Sequence, residues 1–120
     1  MGGGRLIESC KRVKSWRNLV YKVAGKFIKT PIEGPCEVKL VFKLKRRKSD
    51  FNSKGEVKSK APQHYVIKKN DLDKLVRSTL DGLTGVAYKD DCQVIRILAS
   101  KRYADFEDEG AEIFIHALDI

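Results

Sequence analysis

Four aspartates in one part of the sequence could do metal-dependent chemistry. Asp71 and Asp73 form a D-x-D at the predicted start of a helix, and Asp90 and Asp91 lie on the connection that returns from that helix's far end. Because short connections keep consecutive elements close in space, we expect the two pairs to be neighbours. Carboxylates held close together repel one another unless a cation joins them, and their hard oxygen atoms suit Mg²⁺ or Mn²⁺. The spacing therefore indicates a divalent-metal site.

A metal ion held in this way would serve the hydrolysis of a phosphodiester. Such an ion can orient and deprotonate a water molecule and neutralise charge on the phosphate, and two ions would clamp both the attacking and the leaving oxygen. Arg77 follows Asp73 by four residues, so both side chains lie along one flank of the predicted helix. Two roles are open for Arg77. It could form a surface ion pair worth roughly 0.3 kcal/mol, or it could stabilise the extra charge of the transition state.

The same aspartates also suit purely structural roles. Aspartate is a favoured N-cap, and acidic residues interact well with the positive end of the helix dipole. Asp90 and Asp91 could simply make a turn. Spacing alone favours capping, but a group of carboxylates within a strongly basic chain shifts the balance towards a metal site that faces nucleic acid.

The charge of the chain indicates a polyanionic partner. Lysine and arginine total 25 of the 120 residues against 16 aspartate and glutamate, so the formal net charge is +9. A net charge of this size and sign favours binding to nucleic acid. Phe51, an aromatic residue in a basic segment, could wedge between bases or could pack locally. The basic residues predicted to contact nucleic acid are Lys45, Arg46, Arg47, Lys48, Lys68, Lys69, Lys74 and Lys101.

Several classes of protein are disfavoured by the motifs that the sequence lacks. Cys10, Cys36 and Cys92 are widely spaced and form no C-x-x-C pair, so neither a zinc site nor a disulfide framework is expected. No apolar stretch reaches the length of a secretory signal or a membrane span. No Walker loop, G-x-S-x-G or H-E-x-x-H motif occurs. We therefore expect a cytoplasmic protein with reduced thiols.

The spacing of apolar residues predicts two helices. After a flexible start over residues 1–5, apolar residues recur at steps of three and four, with Ser15 as the N-cap. Pro31 and Gly34 end this helix. A second helix with one apolar stripe covers residues 71–83, and Gly85 ends it. The first helix is expected to turn Trp16, Leu19, Val20, Val23, Ala24 and Phe27 to the core.

Alternating apolar residues predict the strands. The clearest covers residues 36–45, with one face packed and the other largely wet. A short strand is expected over 64–68, and two more over 94–99 and 111–118, joined across an acidic turn that contains Gly110. Residues 46–62 are polar and basic, which predicts a long mobile loop. The order of elements indicates one α+β (mixed α/β) domain, with a small mixed sheet packed against two main helices.

Two segments resemble the RusA family of bacteriophage and prophage Holliday-junction resolvases. The first, 69–83, contains D-L-D, a leucine followed two positions later by a basic residue, and then D-x-L. The second, 85–94, contains D-D-x-Q-V at the entry to a strand. The resemblance is clear from about Lys68 to Lys101, and the region from Glu8 to Arg17 is more weakly similar to the family's first helix region.

The resemblance implies a Mg²⁺-dependent homodimer that makes symmetric paired nicks across a four-way DNA junction in recombination and repair. Such a protein would act in the cytoplasm of a bacterial host or a phage-infected cell. The matching positions imply that Asp71, Asp73 and Asp91 are catalytic metal ligands, for Mg²⁺ or Mn²⁺. They also imply that Asp90 and Asp81 are supporting acids, with Asp90 as a further candidate ligand.

The chain departs from the family pattern at three places. Arg77 stands where the family has its catalytic lysine, and it keeps the charge but cannot act as a proton donor, which favours electrostatic stabilisation. Lys74 replaces the usual asparagine. The family's opening strand, with its P-x-x-N segment, is not found before Gly2, and its loss could weaken the sheet or the dimer.

Two other classes of function stay open from the residues alone. The chain could be a non-catalytic nucleic-acid-binding protein, architectural or RNA-directed, whose aspartates only cap a helix and shape a turn. That protein would bind without regard to divalent metal. It could also be a structural or assembly protein, and such a protein would show no salt-sensitive binding to DNA.

Overall fold

Two helices and a four-stranded sheet make up the fold in the computed structural model, which describes residues 3–6, 13–105 and 107–118. The helices are α1 (Val13–Phe27) and α2 (Leu72–Leu83). Two 3₁₀ helices, Lys48–Asp50 and Asp91–Gln93, lie in the connections. The strands in chain order are β1 (Gly3–Leu6), β2 (Cys36–Leu44), β3 (Val94–Tyr103) and β4 (Gly110–Ala117).

The sheet is mixed, with the strand order β1-β4-β2-β3. Strand β2 pairs with β3 in parallel and with β4 in antiparallel orientation, and β1 pairs antiparallel with β4. The parallel pair is joined through α2, so β2, α2 and β3 form one β-α-β unit. Strands β3 and β4 follow each other in the chain but lie on opposite sides of β2. The predicted class, a small mixed sheet with two main helices, is confirmed.

Strand β2 supplies the centre of the core. Val38, Leu40, Phe42 and Leu44 are buried, as the alternating pattern predicts. Lys43 is an exception on the face predicted to be wet. Its side chain is only 1% exposed, and its ammonium group lies 3.3 Å from the Glu107 carboxylate. The prediction of a wet face is therefore wrong at this position, because a buried cation is tolerated when a carboxylate partners it.

A buried hydrogen bond and a close approach at one glycine join the two helices. The Trp16 indole N–H donates to the Thr79 hydroxyl over 2.9 Å, and Trp16 itself is 1% exposed. At Gly82, a Cβ atom would lie 2.7 Å from the Arg17 carbonyl oxygen and 2.8 Å from the Val20 Cβ. Only a residue without a side chain fits between α1 and α2 at this point.

The boundaries of α1 differ from the prediction at both ends. The helix begins at Val13, so Ser15 lies inside the first turn and is not the N-cap. Phe27 is the last residue of α1 and is 64% exposed, because it lies beyond the part of the helix that packs against the core. The rest of the predicted apolar face, from Trp16 to Ala24, contributes to the core.

Two further segments differ from the prediction. Gly3–Leu6, which overlaps the segment 1–5 expected to be flexible, forms β1, since backbone pairing with β4 needs no large side chain. The short strand predicted over 64–68 is absent from the structure. Tyr65 is buried there by ring packing against Tyr103, with centroids 5.2 Å apart, so its burial needs no strand partner.

The predicted basic loop contains ordered turns. Residues 48–50 form a 3₁₀ helix, and Phe51 makes an isolated bridge to Val57. The Asp50 side chain is buried and lies 3.5 Å from the Arg46 guanidinium. Ion pairs and backbone hydrogen bonds shape this segment where apolar burial is scarce. Its mobility stays a prediction.

Candidate active site

The D-x-D pair lies at the start of α2, as predicted. Asp71 is at the N-cap position, but its carboxylate makes no capping hydrogen bond, and only its backbone carbonyl accepts from the Leu75 N–H, over 3.0 Å. The Asp71 side chain is 52% exposed and lies 3.6 Å from the Lys74 ammonium group. Asp73 follows in the first turn and is exposed. The capping role that spacing alone favours is therefore not realised by the Asp71 side chain.

In the second acidic pair, by contrast, Asp90 has a structural role. The Asp90 carboxylate accepts from the Cys92 N–H over 2.9 Å, and the Gln93 side-chain oxygen accepts from the Asp90 N–H over 3.1 Å. These bonds close a capping box around the 3₁₀ helix Asp91–Gln93. The hydrogen bonds from Cys92 lower the pKa of Asp90. Asp91 follows as an exposed residue of that helix.

The structure places the two pairs at opposite ends of the β-α-β unit. The Lys101 ammonium donates to the Asn70 carbonyl over 3.3 Å, which sets the start of α2 beside the far end of β3. Asp91 instead precedes Val94, where β3 begins. Val94 and Lys101 are seven residues apart, about 23 Å along an extended strand. The expectation that the two pairs are neighbours within one chain is therefore wrong, because Asp91 comes only after the chain has travelled the length of α2.

This separation bears on the predicted metal site. Among the residues that the structure describes, no three histidine, cysteine, aspartate or glutamate side chains come together to hold an ion. Asp71, Asp73 and Asp91 therefore do not make a three-ligand site within one chain. Asp71 and Asp73 remain as two carboxylates from the first turn of α2, and Mg²⁺ commonly takes only one or two carboxylates from a protein and keeps several waters.

Basic residues surround the start of α2. Lys45 follows the end of β2, Lys68 and Lys69 precede α2, and all three are exposed. Because β2 and β3 are parallel, their carboxyl ends lie at the same edge of the sheet, which is where α2 begins. We call this surface the basic edge. The predicted basic residues that lie on it or in the loop beside it are Lys45, Arg46, Arg47, Lys48, Lys68, Lys69, Lys74 and Lys101.

Two of these side chains donate hydrogen bonds within the described part of the protein. The Arg46 side chain is 6% exposed and forms ion pairs with Asp105 and Asp50. Its guanidinium also donates to the Pro62 carbonyl over 2.7 Å and lies 3.9 Å from the centroid of the Tyr103 ring. The hydrogen bond to Asp105 raises the pKa of Arg46. Arg46 therefore holds the basic loop against the sheet and is not free to bind a phosphate. Lys101 is engaged by the Asn70 carbonyl.

The geometry of an exposed carboxylate on a basic edge fits a nuclease, and comparison with known protein families gives the same answer. The family described as endodeoxyribonuclease RusA matches residues 2–116 of the 120. The chain belongs to the RusA family of endodeoxyribonucleases. RusA proteins resolve Holliday junctions, so the substrate class is branched DNA. A comparison with curated proteins gave no match.

The RusA assignment gives the remaining predicted residues their context. Arg77 is exposed on α2, and among the described residues no ion pair joins it to Asp73. Asp81 lies 3.9 Å from Arg17 of α1, with both side chains more than 40% exposed, so this acid contacts the neighbouring helix. Phe51 is partly buried and paired with Val57, which favours local packing over a role as a wedge in this RusA protein.

Sequence reasoning missed two residues beside the RusA site. Asn70 has a backbone φ of 56°, in the left-handed region, and its side-chain amide donates to the Tyr65 hydroxyl over 3.1 Å. An asparagine directly before a helix start is a weak signal for this conformation, since asparagine tolerates it better than most residues.

Within the described residues, no helix is long and apolar enough to cross a membrane.

Proposed function

We propose that this RusA protein resolves four-way DNA junctions by Mg²⁺-dependent hydrolysis of phosphodiesters during recombination and repair. The proposal rests on Asp71. Its carboxylate lies at the N-cap of α2 but makes no capping hydrogen bond, and it is half exposed. It also lies within the basic edge of a chain of the RusA family. A purely structural acid at this position would bond to the helix N–H groups.

The basic edge would bind the DNA backbone. Lys45, Lys68 and Lys69 are exposed and can each contact a phosphate, with release of counterions. Lys74, 72% exposed and 3.6 Å from Asp71, would partly offset the repulsion between that carboxylate and an approaching strand. Binding should therefore be salt-sensitive and should persist when the acids are neutralised.

The acids would hold the metal. Asp71 and Asp73 supply hard oxygen ligands that suit Mg²⁺, with Mn²⁺ as a second candidate. When bound, the ion would supply an activated water and neutralise charge on the phosphodiester. Arg77, on the exposed surface of α2, would stabilise negative charge on the phosphate.

A second copy of the chain would account for the distance between Asp91 and Asp71. Strand β3 is an edge strand of the described sheet, and its Ile95, Ile97 and Leu98 are exposed. Two β3 strands paired antiparallel about a two-fold axis would set the start of each beside the end of the other. Asp91 of one copy would then approach Asp71 of the other, and the acidic start of each strand would face a basic edge. This geometry supports a homodimer with two composite sites.

The experiment is a cleavage assay with a labelled four-way junction and a linear duplex of the same sequence. With Mg²⁺, we expect paired nicks in the junction and far slower cleavage of the duplex. Ca²⁺ should allow binding with little cleavage, and a chelator should stop cleavage. An intact junction in Mg²⁺ or Mn²⁺, with binding indifferent to divalent ions, would instead support a non-catalytic nucleic-acid-binding protein. No salt-sensitive binding at all would support an assembly role.

A further inference from the structure

The backbone immediately before Asp71 is held in an unusual conformation. Asn70 adopts a φ of 56° and is the only residue other than glycine with a positive φ among the residues that the structure describes. Side chains other than glycine seldom adopt this conformation, so the surroundings must hold it in place. The turn at Asn70 brings the chain from the segment after Tyr65 into the axis of α2.

Three contacts hold that turn. The Asn70 side-chain amide donates to the Tyr65 hydroxyl over 3.1 Å, and the Lys101 ammonium donates to the Asn70 carbonyl over 3.3 Å. The same ammonium group lies 4.9 Å from the Tyr65 ring centroid. Tyr65 is a rigid anchor for both, since it is 6% exposed and packs against Tyr103.

These contacts reach Asp71 through one peptide plane. The carbonyl of Asn70 and the N–H of Asp71 belong to the same planar peptide unit. A hydrogen bond to the Asn70 carbonyl restrains the peptide plane on one side of the Asp71 Cα, and the bond from the Leu75 N–H to the Asp71 carbonyl restrains the plane on the other side. With both planes held, the direction in which the Asp71 side chain leaves the backbone is restrained. The Asp71 carboxylate has no hydrogen bond to the helix that would orient it otherwise.

We propose that Lys101, acting with Tyr65 through Asn70, is a positioning residue for Asp71, and not the phosphate contact that the sequence predicts. The proposal rests on the proposed nuclease function for its effect on cleavage, but the contacts themselves can be tested without activity. Lys101 lies on β3 and Tyr65 in the loop before α2, so the carboxylate is set by two separate parts of the fold.

The test compares Lys101→Met with Lys69→Met, two substitutions that remove the same charge from the basic edge. Methionine can still pack on the Tyr65 ring but cannot donate to the Asn70 carbonyl. For Lys101→Met we expect the single-turnover cleavage of bound junction to fall about tenfold or more, and the Mg²⁺ concentration for half-maximal cleavage to rise. The salt dependence of binding should keep its slope. For Lys69→Met we expect that slope to fall by about one, because this substitution removes a contact to phosphate.

A second pair of variants tests the route through Asn70. Tyr65→Phe and Asn70→Gly both remove the amide-to-hydroxyl bond, and glycine still permits the positive φ. In both variants the cleavage rate of bound junction should fall, and the Mg²⁺ concentration for half-maximal cleavage should rise, but by less than in Lys101→Met. Asn70→Ala, which strains the same backbone, should show both changes more strongly.

Hydrogen exchange gives a readout that does not depend on cleavage. The Leu75 N–H, which bonds to the Asp71 carbonyl, should exchange faster in Lys101→Met than in the parent, with an unchanged midpoint of global unfolding. If the parent cleaves no junction, the nuclease proposal fails while this readout still tests the positioning. The proposal is overturned if Lys101→Met exchanges like the parent and lowers the salt slope as Lys69→Met does.

Discussion

Arg77 is the cation that we propose to act at the phosphate, and its exposed position on α2 allows it to meet one. Removing a group that stabilises transition-state charge typically costs about 100-fold or more in rate. We therefore expect Arg77→Gln to cleave a junction about 100-fold more slowly than the parent, and Arg77→Lys to keep most of the rate because it keeps the charge. Single-turnover cleavage at saturating protein measures both.

The matched control is Arg17→Gln, which removes an exposed arginine from the other helix. Arg17 pairs with Asp81 at 3.9 Å, and an exposed pair of this kind contributes at most about 1 kcal/mol to stability. Its cleavage rate should match that of the parent. Equal rates for Arg77→Gln and Arg17→Gln would remove Arg77 from the reaction.

Glu107 makes the stability of the fold depend on pH. Its carboxylate lies 2.7 Å from Arg102 and 3.3 Å from the buried Lys43, and hydrogen bonds from Arg102 and then Lys43 lower its pKa. A carboxylate with a lowered pKa stabilises the folded state above its ordinary pKa, and the contribution is lost as the pH falls through the folded value. Protonation would leave the Lys43 charge buried with a weaker partner.

We therefore expect Glu107→Gln to unfold at a lower temperature than the parent at pH 7. The difference should shrink as the pH falls through the lowered pKa of Glu107 and the parent's own carboxylate becomes protonated. Thermal unfolding followed by circular dichroism at pH 7 and pH 3 measures this, with Asp108→Asn as a control for the loss of one acidic charge from the same loop. A difference that stays constant with pH would contradict the assignment.

The close packing of α1 on α2 predicts how glycine substitutions change the free energy of unfolding. A Cβ at Gly82 would lie 2.7 Å from the Arg17 carbonyl, and a backbone atom cannot move aside cheaply. Gly82→Ala should therefore lower the free energy of unfolding by about 1–3 kcal/mol. Gly25→Ala is the matched control in α1, since nothing lies within 4 Å of its Cβ, and alanine should stabilise that helix by up to about 1 kcal/mol. Urea denaturation measures both free energies of unfolding. Equal changes in the two variants would contradict this packing.

The elements themselves could be predicted from the sequence, while several of their boundaries could not. The apolar stripe of α2 and the alternation in β2 are strong local patterns, and both elements lie where those patterns indicate. The burial of Lys43 depends on Glu107, 64 residues later, and that of Tyr65 depends on Tyr103. Contacts between residues so far apart in the chain leave no local pattern to detect.

The sequence predicts the positions of Asp71 and Asp73 correctly, but not that of Asp91. The spacing of the first two predicts that they lie together, and both are at the start of α2. The prediction that Asp91 lies beside them within one chain is wrong, although the sequence contains a signal against it. A helix of 12 residues spans about 18 Å, so a connection that begins at its far end begins far from its start.

At the scale of the whole molecule, the separation of the acids leads to a test of the homodimer. Suppose that Asp71→Asn and Asp91→Asn are each inactive and that their subunits exchange after mixing. If each site combines Asp71 of one copy with Asp91 of the other, a mixed dimer contains one site with both substitutions and one site with neither. The mixture should then regain nicking at one strand of the junction.

If each site lay within a single chain, both sites of the mixed dimer would be damaged and the mixture would stay inactive. Co-purification through two different affinity tags would confirm that mixed dimers had formed. A monomer in analytical ultracentrifugation, with or without junction DNA, would also contradict the homodimer. Ile97→Lys, on the exposed edge of β3, should weaken the dimer without unfolding the chain.

We propose that carboxylates beside the basic edge hold the ion that cuts the DNA, while the lysines of that edge bind it. The most direct measurement is the single-turnover cleavage of a labelled four-way junction in Mg²⁺ by the parent, Asp71→Asn and Asp91→Asn, with the dissociation constant of each measured in Ca²⁺. We predict that both variants bind within about threefold of the parent and cut at least about 100-fold more slowly. A variant that binds the junction and cuts it at the parent's rate would contradict the claim.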